Sequence, residues 1–252
     1  MTLDGKNAVV LGASAKGGTG WAIAEALARE GARVAVGARS AGPLQELADA
    51  IGGVAIPCDA SDPDSIANFI RTAAERLGPI DIAINSAGQT AHGVIAEIDP
   101  ALVQRSLDIH YIGNVHFIRE ATQVMPDGGA IVLISSAAAA QPVVDRFAYA
   151  CAKAAMDCLV RHAAVEFGRR GIRVNSILPG PIETPLLAPV LERPGARAAF
   201  VKEVPLGRVA TPEEVADVVV FLSRPGIVSG LNMPVSGGMH LMRPPRAEDL
   251  KG

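Results

Sequence analysis

Apolar residues along the chain come in short unbroken runs rather than in alternation with polar ones. NAVVLG (7–12), RVAVG (33–37), VAIP (54–57), DIAIN (81–85), AIVLIS (130–135), RVNSIL (173–178) and NMPVS (232–236) each read as a strand. A strand apolar at every position has both faces covered, as in a parallel sheet. Between the runs, apolar residues recur at helical spacing over about 20–30, 43–51, 63–77, 100–124, 147–169 and 212–223. Pro63 follows Ser61-Asp62 and Pro212 follows Thr211, so two of these helices open on a capping residue with proline in the first turn. Strands alternating with helices predict an α/β fold: a doubly wound parallel sheet of about seven strands, with helices on both faces, in a single domain over 1–252. The rhythm breaks at 185–206, where PLLAPVLERPGARAAFVKEVPL carries four prolines. That stretch predicts a substrate lid with one or two short helices. Residues 243–252 read as a polar surface tail.

Composition narrows the class. The chain has 252 residues, ordinary for one α/β domain, and its low aromatic content (4%) suits close packing of helices on a sheet. A net charge of -3 without any basic stripe argues against a nucleic-acid partner. The start, MTLDGKNAVVLG, has no signal-peptide pattern, and no apolar run is long enough for a bilayer. The expectation is a cytoplasmic protein without a membrane partner. Cys58, Cys151 and Cys158 show neither metal nor disulfide spacing and are expected to be reduced, packed thiols; no metal site is expected.

The candidate chemistry begins with three residues. Tyr149 and Lys153 lie four apart in FAYACAKAAMD, on one face of a helix. An ammonium fixed beside a phenol favours the phenolate, so the Tyr149 pKa is expected to fall from ~10 and suit proton exchange with an alcohol or carbonyl. Ser136 lies thirteen residues before Tyr149, just past a buried strand, where an open α/β sheet carries its site. Its hydroxyl is placed to hold a substrate oxygen.

The first strand runs into GASAKGGTGWAIAEALA. Gly12, Gly18 and Gly20, with Ser14 and Lys16 between them, form a strand-to-helix turn that lets backbone N–H groups approach a pyrophosphate. The second strand ends at Gly37-Ala38-Arg39. A carboxylate for the ribose 2′-hydroxyl is missing there, and a guanidinium suited to phosphate follows. NADP(H) is therefore expected over NAD(H), with Arg39 and Lys16 near the 2′-phosphate.

Together these features resemble the short-chain dehydrogenase/reductase family across about residues 4–240. Asn85-Ser86-Ala87-Gly88 is similar to the family's stretch after the fourth strand, with Ser86 as a change. Asp59 matches its adenine-contacting acid. Pro179-Gly180-Pro181-Ile182-Glu183-Thr184 resembles the segment that holds the nicotinamide amide, and Gly207-Arg208 through Glu214 and Gly237-Gly238 resemble its C-terminal signatures. The resemblance implies a Rossmann domain in which Tyr149 is the general acid/base, Ser136 orients the carbonyl, and Lys153 lowers the Tyr pKa and binds the nicotinamide ribose. It also implies a homo-oligomer, tetramer or dimer, packed through the helices near 100–124 and 147–169.

Two departures matter. The glycines are spaced Gly-x5-Gly-x-Gly, longer than the family's usual loop and similar to that of its enoyl-thioester reductases. The place of the family's catalytic Asn is held by His110, with Gly113 setting the register and Asn114 one turn further on. His110 is expected to hold the water that links Lys153 to solvent, and as an imidazole it could join a proton relay. His92, in the loop after 85–88, is a weaker candidate, and His116 is expected to pack.

Ala138, Gln141, Val143, Phe147, Pro181, Leu186 and Leu187 are the candidate pocket residues. They suit a fairly apolar ketone or secondary alcohol, while Arg193, Arg197 and Lys202 on the lid leave a 3-oxoacyl thioester open. The reading is an NADP(H)-dependent carbonyl reductase or alcohol dehydrogenase. An enoyl-type reductase and a non-catalytic dinucleotide sensor are the alternatives.

Overall fold

The computed structural model describes residues 3–242 and Glu248, so the tail expected over 243–252 lies, apart from Glu248, outside the described residues. Seven strands form one sheet: β1 (Asn7–Leu11), β2 (Arg33–Ala38), β3 (Val54–Pro57), β4 (Ile82–Asn85), β5 (Ala130–Ile134), β6 (Arg173–Pro179) and β7 (Asn232–Val235). Their order is β3-β2-β1-β4-β5-β6-β7, and every pairing is parallel. The winding reverses between β1 and β4, which opens a crevice at their C-terminal ends, where such sheets bind ligands.

The unbroken apolar runs are explained by the two faces. Val10, Val36, Ile84, Val132 and Ile177 pack toward α1 (Thr19–Arg29), α2 (Ala41–Ile51) and α9 (Pro212–Ser223). Their neighbours Val9, Ala35, Ala83, Ile131 and Val174 pack toward α3 (Pro63–Leu77), α5 (Gly113–Val124) and α6 (Phe147–Phe167). The expected caps are present. Asp62 accepts from the Asp64 N–H with Pro63 behind it, and Thr211 and Glu214 form a reciprocal capping box.

Two details differ from expectation. The helix expected over 100–124 is two helices, α4 (Pro100–Leu107) and α5, joined by a single π-helical stretch at Asp108–Ile112 that contains His110. Such bulges re-aim side chains and recur at functional sites. The cysteines also divide: Cys58 is buried, its thiol pushed up to about 12 by burial, whereas Cys151 and Cys158 are exposed. Both lie on the side of α6 opposite its core stripe of Ala152, Met156, Val160 and Ala163, so packing by this chain does not reach them. The 185–206 stretch holds two short helices, α7 (Ala188–Leu191) and α8 (Ala196–Lys202). Among the described residues, no helix is long and apolar enough to cross a membrane.

Candidate active site

The ends of β4 and β5 and the first turns of α6 converge on one cleft. Ser136 leaves β5 in an extended conformation and accepts from the Ala138 N–H at 3.2 Å, which holds its hydroxyl at the start of a short 3-10 turn. Tyr149 and Lys153 lie on α6 as expected, the phenol half-buried and the lysine buried. Lys153 Nζ donates to the Ile134 carbonyl at 2.6 Å and lies 5.8 Å from the centre of the Tyr149 ring. Burial lowers the Lys153 pKa to about 8, and the negative charge of Asp157 opposes it.

The lowered phenol pKa expected from this pairing is not found. Burial pushes Tyr149 up, while the Ser136 hydroxyl and Arg146 only partly counter it. Loss of solvent around a group outweighs a neighbouring charge when that charge is already spent on other partners. Here the Lys153 ammonium donates to the Ile134 carbonyl and feels the negative charge of Asp157. Tyr149 is therefore protonated near neutrality in this state.

His110 projects from the π-helical stretch and is fully buried. Its ring meets the Tyr149 ring edge-on, centroids 5.0 Å apart. Nε2 lies 2.9 Å from the Gln89 carbonyl, and since a carbonyl only accepts, Nε2 carries the hydrogen. Nδ1 is then a bare acceptor, buried and without a hydrogen-bond partner among the described residues. The residue that lets the ring in is Gly88, where a Cβ would stand 3.0 Å from His110 Cε1. Burial, and then the charge of Lys153, hold the His110 pKa down to about 3. This corrects the expected relay role, because such an imidazole takes up no proton near neutral pH. Asn114 is committed to other partners. Its Nδ2 donates to the His110 carbonyl at 2.9 Å, and its Oδ1 accepts from Asn85 Nδ2 at 3.0 Å. Asn85 in turn accepts from the Ala87 N–H at 2.9 Å, so the pair braces the turn at 85–88.

The crevice at β1 fits a dinucleotide. Gly12 has φ +89, and a Cβ there would fall 2.3 Å from the Ala87 nitrogen, so only glycine lets this loop lie against the turn after β4. Gly18 caps α1 without any side-chain bond, and the first turn that follows, including Gly20, holds no acid. The helix N-terminus is thus open to an anion such as a pyrophosphate. Ser14 is half-buried in this loop. Lys16 is exposed, bound to Glu46 of α2 at 2.5 Å and set over the Trp21 ring. Arg39 is exposed just past β2, close enough to Asp59 to lower its pKa. The main cause of that lowering is Ser61, whose N–H and hydroxyl bind the Asp59 carboxylate at 2.9 and 2.7 Å. Pro179 ends β6, Gly180 packs on Ser236, and Ile182 pairs with Ala210. Thr184 donates its N–H to the Ile182 carbonyl at 2.8 Å, which turns the chain into the 185–206 stretch.

At the mouth, the Gly93 N–H donates to the Asp145 carbonyl at 2.8 Å and His92 Nδ1 lies 3.2 Å from the Asp145 carboxylate, joining two loops. Gln141 is committed elsewhere: its amide donates to the carbonyls of Met239 and Met242 at 3.1 and 2.7 Å. Pattern reading passed over Asp157, Gln89 and the Ile134 carbonyl. For Asp157 a signal existed, the continued step of four from Tyr149 and Lys153. Backbone carbonyls leave none.

Sheet order and glycine turn together define a Rossmann-type fold, and the Ser136, Tyr149 and Lys153 cluster is its candidate active site. A family model described as Enoyl-(Acyl carrier protein) reductase matches residues 12–240. L-rhamnose 1-dehydrogenase (NAD(P)(+)) from Sphingomonas sp. (strain SKA58) is 32% identical over 250 residues, 95% of this chain and 98% of that protein. A 3-oxoacyl-(acyl-carrier-protein) reductase from Pseudomonas aeruginosa is 33% identical, over 96% of this chain and all of the other. A solved short-chain dehydrogenase/reductase from Serratia marcescens BCRC 10948 superposes with a TM-score of 0.89 at 32% identity, covering 95% of this chain and 100% of that one. The chain belongs to the short-chain dehydrogenase/reductase family of oxidoreductases, which use nicotinamide cofactors.

Proposed function

We propose that the protein is an NADP(H)-dependent oxidoreductase that interconverts a carbonyl and a secondary alcohol, with Tyr149 as general acid/base. The observation that carries this reading is the meeting of Ser136 and Tyr149 beside a Lys153 ammonium anchored on the end of β5. When bound, the nicotinamide supplies or accepts the hydride. Ser136 holds the substrate oxygen, and Tyr149 gives it a proton during reduction or takes one back during oxidation. Burial raises the pKa of the phenol, so Tyr149 holds its proton until a substrate oxygen takes it. His110 Nδ1 is the acceptor for a water beside Lys153, so His110 holds that water without itself exchanging a proton.

NADP(H) is favoured by Ala38 and Arg39, which offer a 2′-phosphate a guanidinium and no carboxylate. Lys16 joins only when it leaves Glu46. Lys153 holds the nicotinamide ribose, and Thr184 the amide end. The two relatives carry names of sugar 1-dehydrogenation and 3-oxoacyl reduction, both carbonyl/alcohol chemistry. A cytoplasmic homo-oligomer, dimer or tetramer, fits the exposed Val115 on α5 and Val165 on α6.

A second reading, enoyl reduction, is favoured by the family model's description and by the long glycine loop. The test is binding of NADPH and NADH by nicotinamide fluorescence, then turnover of a ketone, 3-oxoacyl and enoyl panel. Tight NADPH binding with ketone or 3-oxoacyl turnover is expected. Consumption by the enoyl substrate alone would transfer the protein to the second reading. Dinucleotide binding with no turnover of any member would favour a sensor.

A further inference from the structure

We infer that Asp157 is a positioning residue: its buried carboxylate is the fixed counter-charge that keeps Lys153 an ammonium beside Tyr149. The inference rests on the oxidoreductase reading above and adds a fourth side chain to it from α6 and the β5–β7 sheet.

Tyr149, Lys153 and Asp157 follow one another at steps of four on α6, which stacks them along one side of the helix. Lys153 is 4% exposed and Asp157 7%. The carboxylate is pinned from the sheet. Ser176 Oγ on β6 donates to Asp157 Oδ1 at 3.0 Å. The same Ser176 hydroxyl lies 2.9 Å from Asn232 Oδ1 on β7, while Asn232 Nδ2 donates to the Asp157 backbone carbonyl at 3.1 Å. Residues of β6 and β7 thus fix Asp157, one through its carboxylate and the other through its backbone carbonyl, in a place that no substrate or cofactor role explains.

The surrounding charges give that placement a purpose. Lys153 faces the Tyr149 phenol, the neutral His110, the Ile134 carbonyl and Asp157. Asp157 faces Lys153, the Ser176 hydroxyl, Tyr149, and Arg161 further along α6; burial raises its pKa, while the Ser176 hydroxyl and the charges of Lys153 and Arg161 oppose that rise. Asp157 is the carboxylate that acts on Lys153, and it acts to keep the proton on. A buried ammonium left with a carbonyl alone gives up its proton instead. A neutral amine would neither steady a phenolate nor hold a proton for it.

The experiment is a pH titration of 13Cε-labelled lysine by NMR in the intact chain and in Asp157→Asn, with Lys153 assigned by its loss in Lys153→Arg. Asparagine keeps an oxygen for the Ser176 hydroxyl and removes only the charge. In the parent, Lys153 is expected to titrate near 8. In Asp157→Asn it is expected at least about one unit lower, a tenfold change in the protonation constant. The alkaline limb of the kcat profile for a reduced ketone should move down by the same amount, with activity recovered at lower pH. An unmoved Lys153 titration would overturn the inference, as would a kcat profile lowered uniformly without a shift. A shifted titration in a protein that reduces no carbonyl would fault the oxidoreductase reading and leave the counter-charge standing. If Asp157→Asn does not fold, the 13Cγ signal of Asp157 in the parent decides. An ionised carboxylate at pH 7 is required, and a protonated one overturns the inference.

Discussion

Two lysines in this protein each work beside an acid, and their surroundings set them apart. Lys16 and Glu46 meet over the glycine loop with side chains 72% and 54% exposed. Lys153 and Asp157 lie beneath the strand ends, both buried. In water a pair of charges attracts weakly, is screened by salt, and opens easily. In the interior, each charge is costly to keep and each partner becomes hard to remove. The difference matches the two tasks along the crevice. Where the proposed function brings in a ligand's phosphate, the lysine is loosely tied and can exchange partners. Where the proposed proton transfer takes place, the lysine is anchored on the Ile134 carbonyl near the charge of Asp157, and its neighbours Tyr149 and His110 are shifted by burial.

The sharpest way to break this contrast is inside the buried cluster. Ser136→Ala removes the hydroxyl assigned to the substrate oxygen and should lower kcat by ~10²–10³, the usual effect of losing one such donor. NADPH binding, measured by fluorescence, should stay near the parent's. A variant with nearly parental kcat would show that the cleft positions no substrate oxygen at Ser136.

His110 offers the next largest effect, read as stability. In the folded chain its pKa is held near 3, whereas an unfolded histidine titrates at ~6.5. Above that value the ring is neutral in both states and contributes no pH dependence. As pH falls from about 6.5 toward 3, the unfolded chain takes a proton that the folded chain refuses. Stability should then drop by about 1.4 kcal/mol per unit from this group alone. His110→Asn removes that proton. Denaturant unfolding at pH 7 and pH 4.5 should show the variant losing about 3 kcal/mol less than the parent over that interval. Equal losses would mean that His110 titrates normally.

The exposed end should respond less. Arg39→Ala is expected to reduce the preference for NADPH over NADH by about tenfold, through one lost phosphate contact. The check is the ratio of the two dissociation constants at fixed salt. An unchanged ratio would show that Arg39 does not face the 2′-phosphate. Smallest of all, Glu46→Gln should move Tm by no more than about 2 °C, since an exposed pair contributes little. The same substitution frees Lys16, so any change in NADPH affinity should be a gain that shrinks as salt rises. A large loss of Tm would place this pair with the buried one.

The seven strands were legible because each carries consecutive apolar residues, and the sheet has helices on both faces to receive them. The caps at Asp62 and Thr211 were legible because their side chains act within three residues of themselves. Ser136, Tyr149 and Lys153 could be read because two of them share a helical face and the third ends a strand. The π-helical break could not be read from spacing, since 3.6-residue periodicity carries across one extra residue with little change in the pattern. The direction of the Tyr149 shift was misread for a related reason. Sequence places an ammonium four residues from a phenol, but only packing shows that the Ile134 carbonyl already binds it and that burial outweighs it. The exposed Cys151 and Cys158 are a third case, because α6 carries apolar residues on a face that this chain does not cover.

The most direct measurement is NADPH oxidation by Tyr149→Phe beside the parent, on a ketone the parent reduces, with dinucleotide binding measured on the same samples. Phenylalanine keeps the ring against His110 and removes only the hydroxyl. The expected result is a fall in kcat of ~10²–10⁴ with binding unchanged. A variant that reduces the ketone as fast as the parent would contradict proton transfer by Tyr149, and with it the reading of the cleft as a carbonyl/alcohol site.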